Sequence, residues 1–180
     1  RIESQGKQRL RNSIQYKLCQ ELLSSYTVVF DDDGSGEAAD IVCIQHYAEE
    51  RSIKLCLVHC KFSSEDTPGT RINDMYTLCG QGQKCVRWKH NGFNYLADHM
   101  KRREGQWQAE GATRFIKGDL HTLALLKKQA RDSMIKLEVV LAQPGLSRAA
   151  CSDQILELLG STELYLKKTA NANLKDVCSV

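Results

Sequence analysis

The segment 31–61 constrains the fold more than any other part of the sequence. It begins with an acidic, glycine-containing turn at 31–40 and continues with two apolar runs, Ile41–Tyr47 and Ile53–Phe62. Both runs are rich in residues that favour strands, and the charged stretch between them suits a turn. Antiparallel pairing of the runs places Asp40 opposite the region of His59 to Lys61. The sequence therefore predicts a hairpin whose open end carries carboxylates and a lysine.

The second run has the pattern of a buried strand. Alternate residues of a strand share a face, and both faces of 53–62 are mostly apolar. A lysine at the end of such a strand must reach water, pair with a carboxylate or serve a function, and Asp40 and Glu37 are the nearest candidate partners. For Asp40 and Lys61 taken alone, a buried ion pair and a catalytic pair are equally open interpretations.

Helix and strand patterns alternate along the rest of the chain. Helical spacing of apolar residues predicts helices at 7–25, 71–88, 95–103, from Asp119 onward, and at 152–169. Strand patterns outside the hairpin fall at 26–30, 113–117, 135–142 and 177–180. This mixture predicts an α/β domain with a central mixed sheet flanked by helices.

Composition limits the class of protein. The chain has 180 residues, of which 42% are hydrophobic and 26% charged, and this suits one globular domain spanning 1–180. It begins with neither an initiator methionine nor a signal pattern, so we expect a module excised from a longer multidomain protein. No apolar run approaches the roughly 20 residues that span a bilayer, which predicts a soluble, cytoplasmic protein without a membrane segment.

Cysteines and charge exclude some kinds of site and leave others open. Most of the eight cysteines have apolar neighbours, as reduced core cysteines do, and no Cys-x-x-Cys pair occurs, so a zinc site is disfavoured. His59 and Cys60 point to opposite faces of a strand and do not form a thiol–imidazole pair. The net charge of +3 is too small to identify a nucleic-acid binder, although basic residues cluster from Lys84 onward.

Carboxylates that converge beside a lysine suit metal-assisted phosphodiester hydrolysis. Hard oxygen ligands hold Mg²⁺, while the lysine can orient a water and offset charge developing on the phosphate. The chain order is a helix, three strands with an acid starting the second and a lysine ending the third, then another helix. This order resembles the PD-(D/E)xK nuclease superfamily over about residues 7–90, with Asp40 matching the motif aspartate and Lys61 the motif lysine.

The resemblance implies a restriction-endonuclease-like αβββαβ core, here followed by a C-terminal αβ extension at about 105–180. It also implies a metal-dependent DNA endonuclease that uses Mg²⁺ or Mn²⁺, in which Lys61 positions the attacking water. The amino-acid sequence of residues 34–42 and 59–64 is similar to that of nuclease modules fused to bacterial superfamily 2 helicases in phage-defence or DNA-processing proteins. A helicase or ATPase domain in the same full-length chain is the partner that this similarity implies.

His59 departs from the family pattern, because it stands where an acid is usual. An imidazole suits Mn²⁺ better than Mg²⁺, and Glu37, or Glu21 of the first helix, can supply the missing carboxylate. The expected catalytic residues are Asp40, Lys61, His59 and Glu37, and the expected metal ligands are Asp40, Glu37, Glu21 and His59. The residues expected to contact nucleic acid are Gln81, Lys84, Arg87 and Lys89. The alternative is a catalytically weakened nuclease-fold module that binds nucleic acid or docks a helicase domain.

Overall fold

The computed structural model describes residues 3–62, 69, 71–146 and 151–178. Its helices are α1 (Ile14–Leu22), α2 (Ile72–Lys84), α3 (Val86–His90), α4 (Phe93–Gln108), α5 (Leu120–Gln129) and α6 (Asp153–Ala170). Its strands are β1 (Val28–Asp31), β2 (Ile41–Tyr47), β3 (Ser52–Cys60), β4 (Phe115–Lys117), β5 (Met134–Gln143) and β6 (Asn173–Cys178). The chain is therefore an α/β domain, as its patterns predicted.

All six strands form one mixed sheet in the order β4-β1-β2-β3-β5-β6. Strands β1, β2 and β3 run antiparallel in sequence, and β4 pairs antiparallel with β1. Strand β5 lies parallel to β3, and β6 lies parallel to β5. The predicted hairpin is confirmed, with Ile41 paired to Val58 at its open end and Tyr47 to Ser52 at its turn.

Helices cover both faces of the sheet. Buried apolar residues of α2 to α6 pack on one face, where Phe30, Leu57 and Val139 are completely buried. On the other face α1 packs through Leu18 and Cys19. Four thiols meet in this second layer: Cys19, Cys43, Cys56 and Cys60. Burial raises the pKa of Cys19 and of Cys56 to about 12, and it raises the pKa of Cys43 and Cys60 well above the ordinary value.

Several element boundaries differ from the sequence prediction for local reasons. The first helix begins at Ile14 rather than near residue 7, because the Ser13 hydroxyl accepts from the Tyr16 amide as a cap and Arg9 has a left-handed φ of 54°. The predicted helix at 71–88 is two helices, separated at Cys85. The predicted helix at 95–103 is longer, from Phe93 to Gln108, and follows Gly92 at a φ of 83°. The last strand begins at Asn173, and residues 179–180 lie outside the described part.

The segments predicted as core, 7–90, and as C-terminal extension, 105–180, both contribute strands to the one sheet. Strand β5 belongs to the segment assigned to the extension, yet it is the parallel neighbour of β3 along nine residues, from Ser52–Met134 to Cys60–Ala142. Without it β3 would be an edge strand with an unpaired row of backbone groups. Both segments thus build one sheet. Among the described residues, no helix combines the length and the apolar character needed to cross a bilayer.

Candidate functional site

Three potential metal ligands meet at the open end of the β2–β3 hairpin. Glu37 comes from the acidic turn, Asp40 directly precedes β2, and His59 is the penultimate residue of β3. One ligand atom of each lies within 4.8 Å of the others. The register that pairs Ile41 with Val58 makes Asp40 and His59 the next opposite residues, and opposite residues share a face. The strand pairing therefore accounts for the meeting of these two side chains.

Hydrogen bonds hold the Asp40 carboxylate in place. Its Oδ1 accepts from Gln15 Nε2 at 2.9 Å, and its Oδ2 accepts from the Cys60 amide at 2.9 Å. The side chain is 5% exposed, so the carboxylate is largely shielded from solvent. Gln15 is itself completely buried on α1, and its Oε1 accepts from the Gln5 amide. A polar residue on the buried face of an amphipathic helix was the sequence signal for this contact, and the sequence analysis missed it.

His59 presents an unused nitrogen to the two carboxylates. Its Nδ1 lies 3.5 Å from Asp40 Oδ2, but no acceptor or donor in the described part of the chain forms a hydrogen bond with it. The other nitrogen, Nε2, lies 3.2 Å from Cys85 Sγ. The residue is 3% exposed, so water does not readily satisfy Nδ1. A buried nitrogen without a partner beside two carboxylates is a ready ligand position.

The pKa of the Glu37 carboxyl is raised, because the group is buried close to the carboxylate of Asp40. The raised pKa is about 7: burial is the largest cause, the charge of Asp40 adds to the rise, and a hydrogen bond from the Gly34 amide, at 2.7 Å, opposes it. The carboxyl is thus partly protonated near neutral pH. A cation placed between such carboxylates favours their ionised forms.

The acidic turn that carries Glu37 is held by a buried arginine of α4. Arg103 donates to the carbonyl oxygens of Asp32, Asp33 and Ser35 at 2.6, 2.8 and 2.9 Å. Its Nε also lies 2.5 Å from the Asp32 carboxylate, which accepts from His99 Nε2 at 2.8 Å. Arg103 is 6% exposed, so it positions the turn and is not available to a bound phosphate.

Lys61 pairs with an acid that the sequence analysis did not single out. Its Nζ lies 3.6 Å from Oε2 of Glu3, and the same oxygen accepts from the Phe62 amide at 2.8 Å. Burial raises the pKa of Glu3, and the charges of Asp40 and Asp33 add to the rise. Lys61 thus forms its ion pair with Glu3 rather than with Asp40. Glu3 precedes α1 in an irregular segment, where no periodic pattern marks it.

A pocket of about 460 Å³ opens beside the metal-ligand group. Its lining comprises Gly34, Ser35, Gly36, Glu37, Ala38, His59, Gln81, Lys84, Arg87 and Trp88. Three of the residues expected to contact nucleic acid therefore line one pocket with Glu37 and His59. The fourth, Lys89, donates instead to the Ala170 carbonyl at the end of α6, at 2.5 Å.

Glu21 lies apart from the metal-ligand group. It lines a separate groove between α1 and the sheet, together with Tyr26, Lys54 and Glu138. Helix α1 meets the open end of the hairpin through Gln15, and Glu21 lies almost two helical turns further along. The carboxylate that joins Asp40 in this structure is Glu37.

Asp40, His59 and Cys85 form a row in the order carboxylate, imidazole and thiol. Rows of this kind activate cysteine nucleophiles in some hydrolases. Here Cys85 is completely buried, and it is not part of the pocket lining. Burial also raises the pKa of its thiol well above the ordinary value. A buried thiol that stays protonated is a poor nucleophile, so the row does not favour thiol catalysis.

Comparisons with protein-family models, with curated proteins and with solved structures give no match for this chain.

Proposed function

We propose that this domain is a metal-dependent phosphodiester hydrolase that cleaves DNA. The observation that carries the proposal is the buried Nδ1 of His59, which lacks a hydrogen-bond partner in the described structure and faces Asp40 and Glu37 at the wall of the pocket. The pocket also carries the positive side chains of Lys84 and Arg87. Ligands for a cation and charges for a phosphate therefore lie in one place.

The donor set fits a divalent cation. Two carboxylates supply hard oxygen ligands, and His59 supplies one imidazole nitrogen. Oxygen ligands alone suit Mg²⁺, whereas an imidazole nitrogen favours a softer ion, so we propose that Mn²⁺ binds more tightly than Mg²⁺. When bound, the ion supplies positive charge that stabilises the phosphoryl oxygens in the transition state.

Different residues of the site bind the cation, contact the phosphates of the substrate and orient the attacking water. Asp40 and Glu37 provide negative charge for the cation, and the hydrogen bonds from Gln15 and Cys60 keep Asp40 oriented. Lys84 and Arg87, which are exposed at the pocket, contact the phosphates of the substrate. Lys61, paired with Glu3 close to Asp40, orients the attacking water.

The order and pairing of the elements support a restriction-endonuclease-like core. A helix precedes three antiparallel strands, helices follow, and the chain returns as β5 parallel to β3. The candidate ligands lie where β2 begins and β3 ends, as the family pattern requires. We further propose that the domain works beside a helicase or ATPase domain of a longer DNA-processing or phage-defence protein.

A cleavage assay tests the proposed function. Purified protein is incubated with single-stranded, duplex and branched DNA, and separately with RNA, in Mg²⁺ or Mn²⁺. We expect metal-dependent cleavage of DNA that Asp40→Asn and Lys61→Ala each reduce at least about 100-fold, since each removes a group from the site. Lys128→Ala, at an exposed position of α5, is the matched control and keeps full activity. Cleavage that persists in both site variants would contradict the proposal.

A second candidate function is nucleic-acid binding without cleavage. It is favoured by the fact that Asp40 already accepts two hydrogen bonds and Lys61 already has Glu3 as a partner. This module would bind DNA with a strong dependence on salt and would show no metal-dependent cleavage. Binding and cleavage measured on one preparation separate the two functions.

A further inference from the structure

Cys85 contacts the side of the His59 ring that faces away from the carboxylates. The Sγ of Cys85 lies 3.2 Å from His59 Nε2, whereas Nδ1 on the opposite side of the ring faces Asp40. Two backbone carbonyl oxygens also lie close to the sulfur, that of Gln81 at 3.7 Å and that of Ala38 at 3.9 Å. The thiol is completely buried, so these groups are its neighbours in place of water.

The position of one proton decides whether His59 can hold a cation. A neutral imidazole carries its proton on Nδ1 or on Nε2. With the proton on Nδ1, the ring directs an N–H at the Asp40 carboxylate, and its lone pair is on Nε2, which faces Cys85. With the proton on Nε2, the lone pair of Nδ1 faces Asp40 and Glu37. Only the second tautomer completes the three-ligand group.

The surroundings of Cys85 make the second tautomer possible. An N–H at Nε2 needs an acceptor in this buried place, and the sulfur at 3.2 Å is that acceptor. The thiol's own proton must then point elsewhere, and the carbonyl oxygens of Gln81 and Ala38 can accept it. Carbonyl, thiol and imidazole thus form a short chain of hydrogen bonds that ends at the free Nδ1.

We propose that Cys85 is a positioning residue, which selects the Nε2–H tautomer of His59 and so opens Nδ1 to a divalent cation. The proposal rests on the metal-dependent function proposed above. The ring remains neutral in both tautomers, because one nitrogen gains the proton that the other loses. No oxidant, reductant or change of net charge is involved. A partner that fixes the tautomer of a ligating histidine commonly changes metal affinity by about 10- to 100-fold when it is removed.

Two substitutions separate positioning from packing. Cys85→Ser keeps a small group that can accept from Nε2, whereas Cys85→Ala removes the acceptor. Calorimetric titration with Mn²⁺ is expected to show at least about tenfold weaker binding for Cys85→Ala and binding within about threefold of wild type for Cys85→Ser. Cys79→Ala is the matched control, because Cys79 is a similarly buried cysteine of α2, whereas the thiol at hydrogen-bond distance from His59 Nε2 is that of Cys85. It should bind Mn²⁺ as the wild type does.

Nitrogen NMR reads the tautomer directly in the unsubstituted protein. Histidine labelled with ¹⁵N is observed with diamagnetic Zn²⁺ as the probe, and the His59 signals are assigned by their loss in His59→Gln. We expect a proton on Nε2 and the ion on Nδ1. This measurement needs no change at Cys85, so it stays decisive even if Cys85→Ala fails to fold.

The outcomes distinguish this inference from the proposed function. Unchanged Mn²⁺ affinity in Cys85→Ala, or a proton on Nδ1 of His59 in the zinc-loaded protein, overturns the role of Cys85 and leaves metal-dependent hydrolysis standing. A wild-type protein that binds no divalent cation overturns the proposed function, and the inference with it.

Discussion

At the scale of single residues, Asp31 shows how burial links charge to stability. Asp31 is the last residue of β1, directly before the acidic turn, and its carboxylate accepts from Arg9 Nη1 at 3.1 Å and from the Asp33 amide at 3.2 Å. Burial raises the pKa of this carboxyl from 3.8 to about 6, more than Arg9 and Arg114 lower it. The folded state therefore favours the protonated form, and its stabilising contribution is lost as the pH rises from 3.8 through about 6.

Replacement of Asp31 by Asn should remove this dependence on pH. The wild type should lose about 2 kcal/mol of unfolding free energy relative to Asp31→Asn between pH 4 and pH 7, because each unit of pKa shift corresponds to about 1.4 kcal/mol and the unfolded carboxyl is already partly ionised at pH 4. Urea unfolding of both proteins across this pH range measures the difference. A difference that is constant with pH would show that Asp31 keeps its ordinary pKa in the folded protein.

His59 decides which metal the proposed site prefers. In His59→Glu a carboxylate replaces the imidazole, so all three ligand atoms are oxygens. The affinity for Mg²⁺ should therefore rise relative to the affinity for Mn²⁺. We expect the ratio of Mn²⁺ to Mg²⁺ affinity to fall about tenfold, equivalent to about 1.4 kcal/mol. Titration calorimetry with each ion measures the ratio, and His121→Gln, at an exposed histidine of α5, is the control. An unchanged ratio would mean that His59 is not a ligand.

At the scale of elements, two glycines of α2 differ in what surrounds them. A Cβ at Gly82 would lie 3.2 Å from Leu141 Cδ2 and 3.3 Å from Val139 Cγ1, both buried on β5. A Cβ at Gly80 would meet no atom of the described residues within 4 Å. The glycines that weaken the helical pattern in the sequence therefore have separate explanations. Gly82 lets α2 approach the sheet closely, whereas no contact within the described part of the chain requires a glycine at position 80.

Alanine substitutions at these positions should have different effects. Gly80→Ala should raise the free energy of unfolding by up to about 1 kcal/mol, because alanine favours the helix. In Gly82→Ala the same gain is offset by crowding of the new methyl group against β5. We therefore expect the free energy of unfolding of Gly82→Ala to be at least about 1 kcal/mol below that of Gly80→Ala. Thermal and urea unfolding of both variants make the comparison. Equal effects would mean that α2 and β5 can separate at little cost.

The elements were more predictable from the sequence than the contacts of the site. The strand patterns predicted the hairpin and placed Asp40 opposite the region of His59 to Lys61. This was possible because paired strands have a regular register. Cys85 lies where α2 ends and α3 begins, inside a range that the sequence predicted as one helix, and Glu3 lies in an irregular segment before α1. Their contacts with His59 and Lys61 depend on the packing of whole elements, which local sequence does not describe.

At the scale of the whole molecule, the sheet ties the two halves of the chain together. Strand β5 inserts between β3 and β6, and helices from 72 to 170 share one buried layer over the sheet. A chain ending at residue 112 would leave β3 without its parallel partner and open that layer to water. The segments cannot be expected to fold separately, although the sequence resemblance covers only the first of them.

Unfolding should consequently be a single event. Tryptophan fluorescence and far-ultraviolet circular dichroism of the full chain should give coincident urea transitions, since Trp88 lies in the layer that both halves share and Trp107 is buried on α4. A fragment of residues 1–112 should show no cooperative thermal transition. A fragment that melts cooperatively would mean that β5 is dispensable for the remaining strands.

The four thiols between α1 and the sheet make that layer observable without an added label. Cys19, Cys43, Cys56 and Cys60 are buried and their pKa values are raised, so an aqueous disulfide reagent reaches reactive thiolates there only when the layer opens. The rate of modification then measures how often α1 separates from the strands, in the way that amide hydrogen exchange measures the opening of hydrogen bonds. Because Gln15 of the same helix holds Asp40, this rate also reports how often the proposed site loses its alignment.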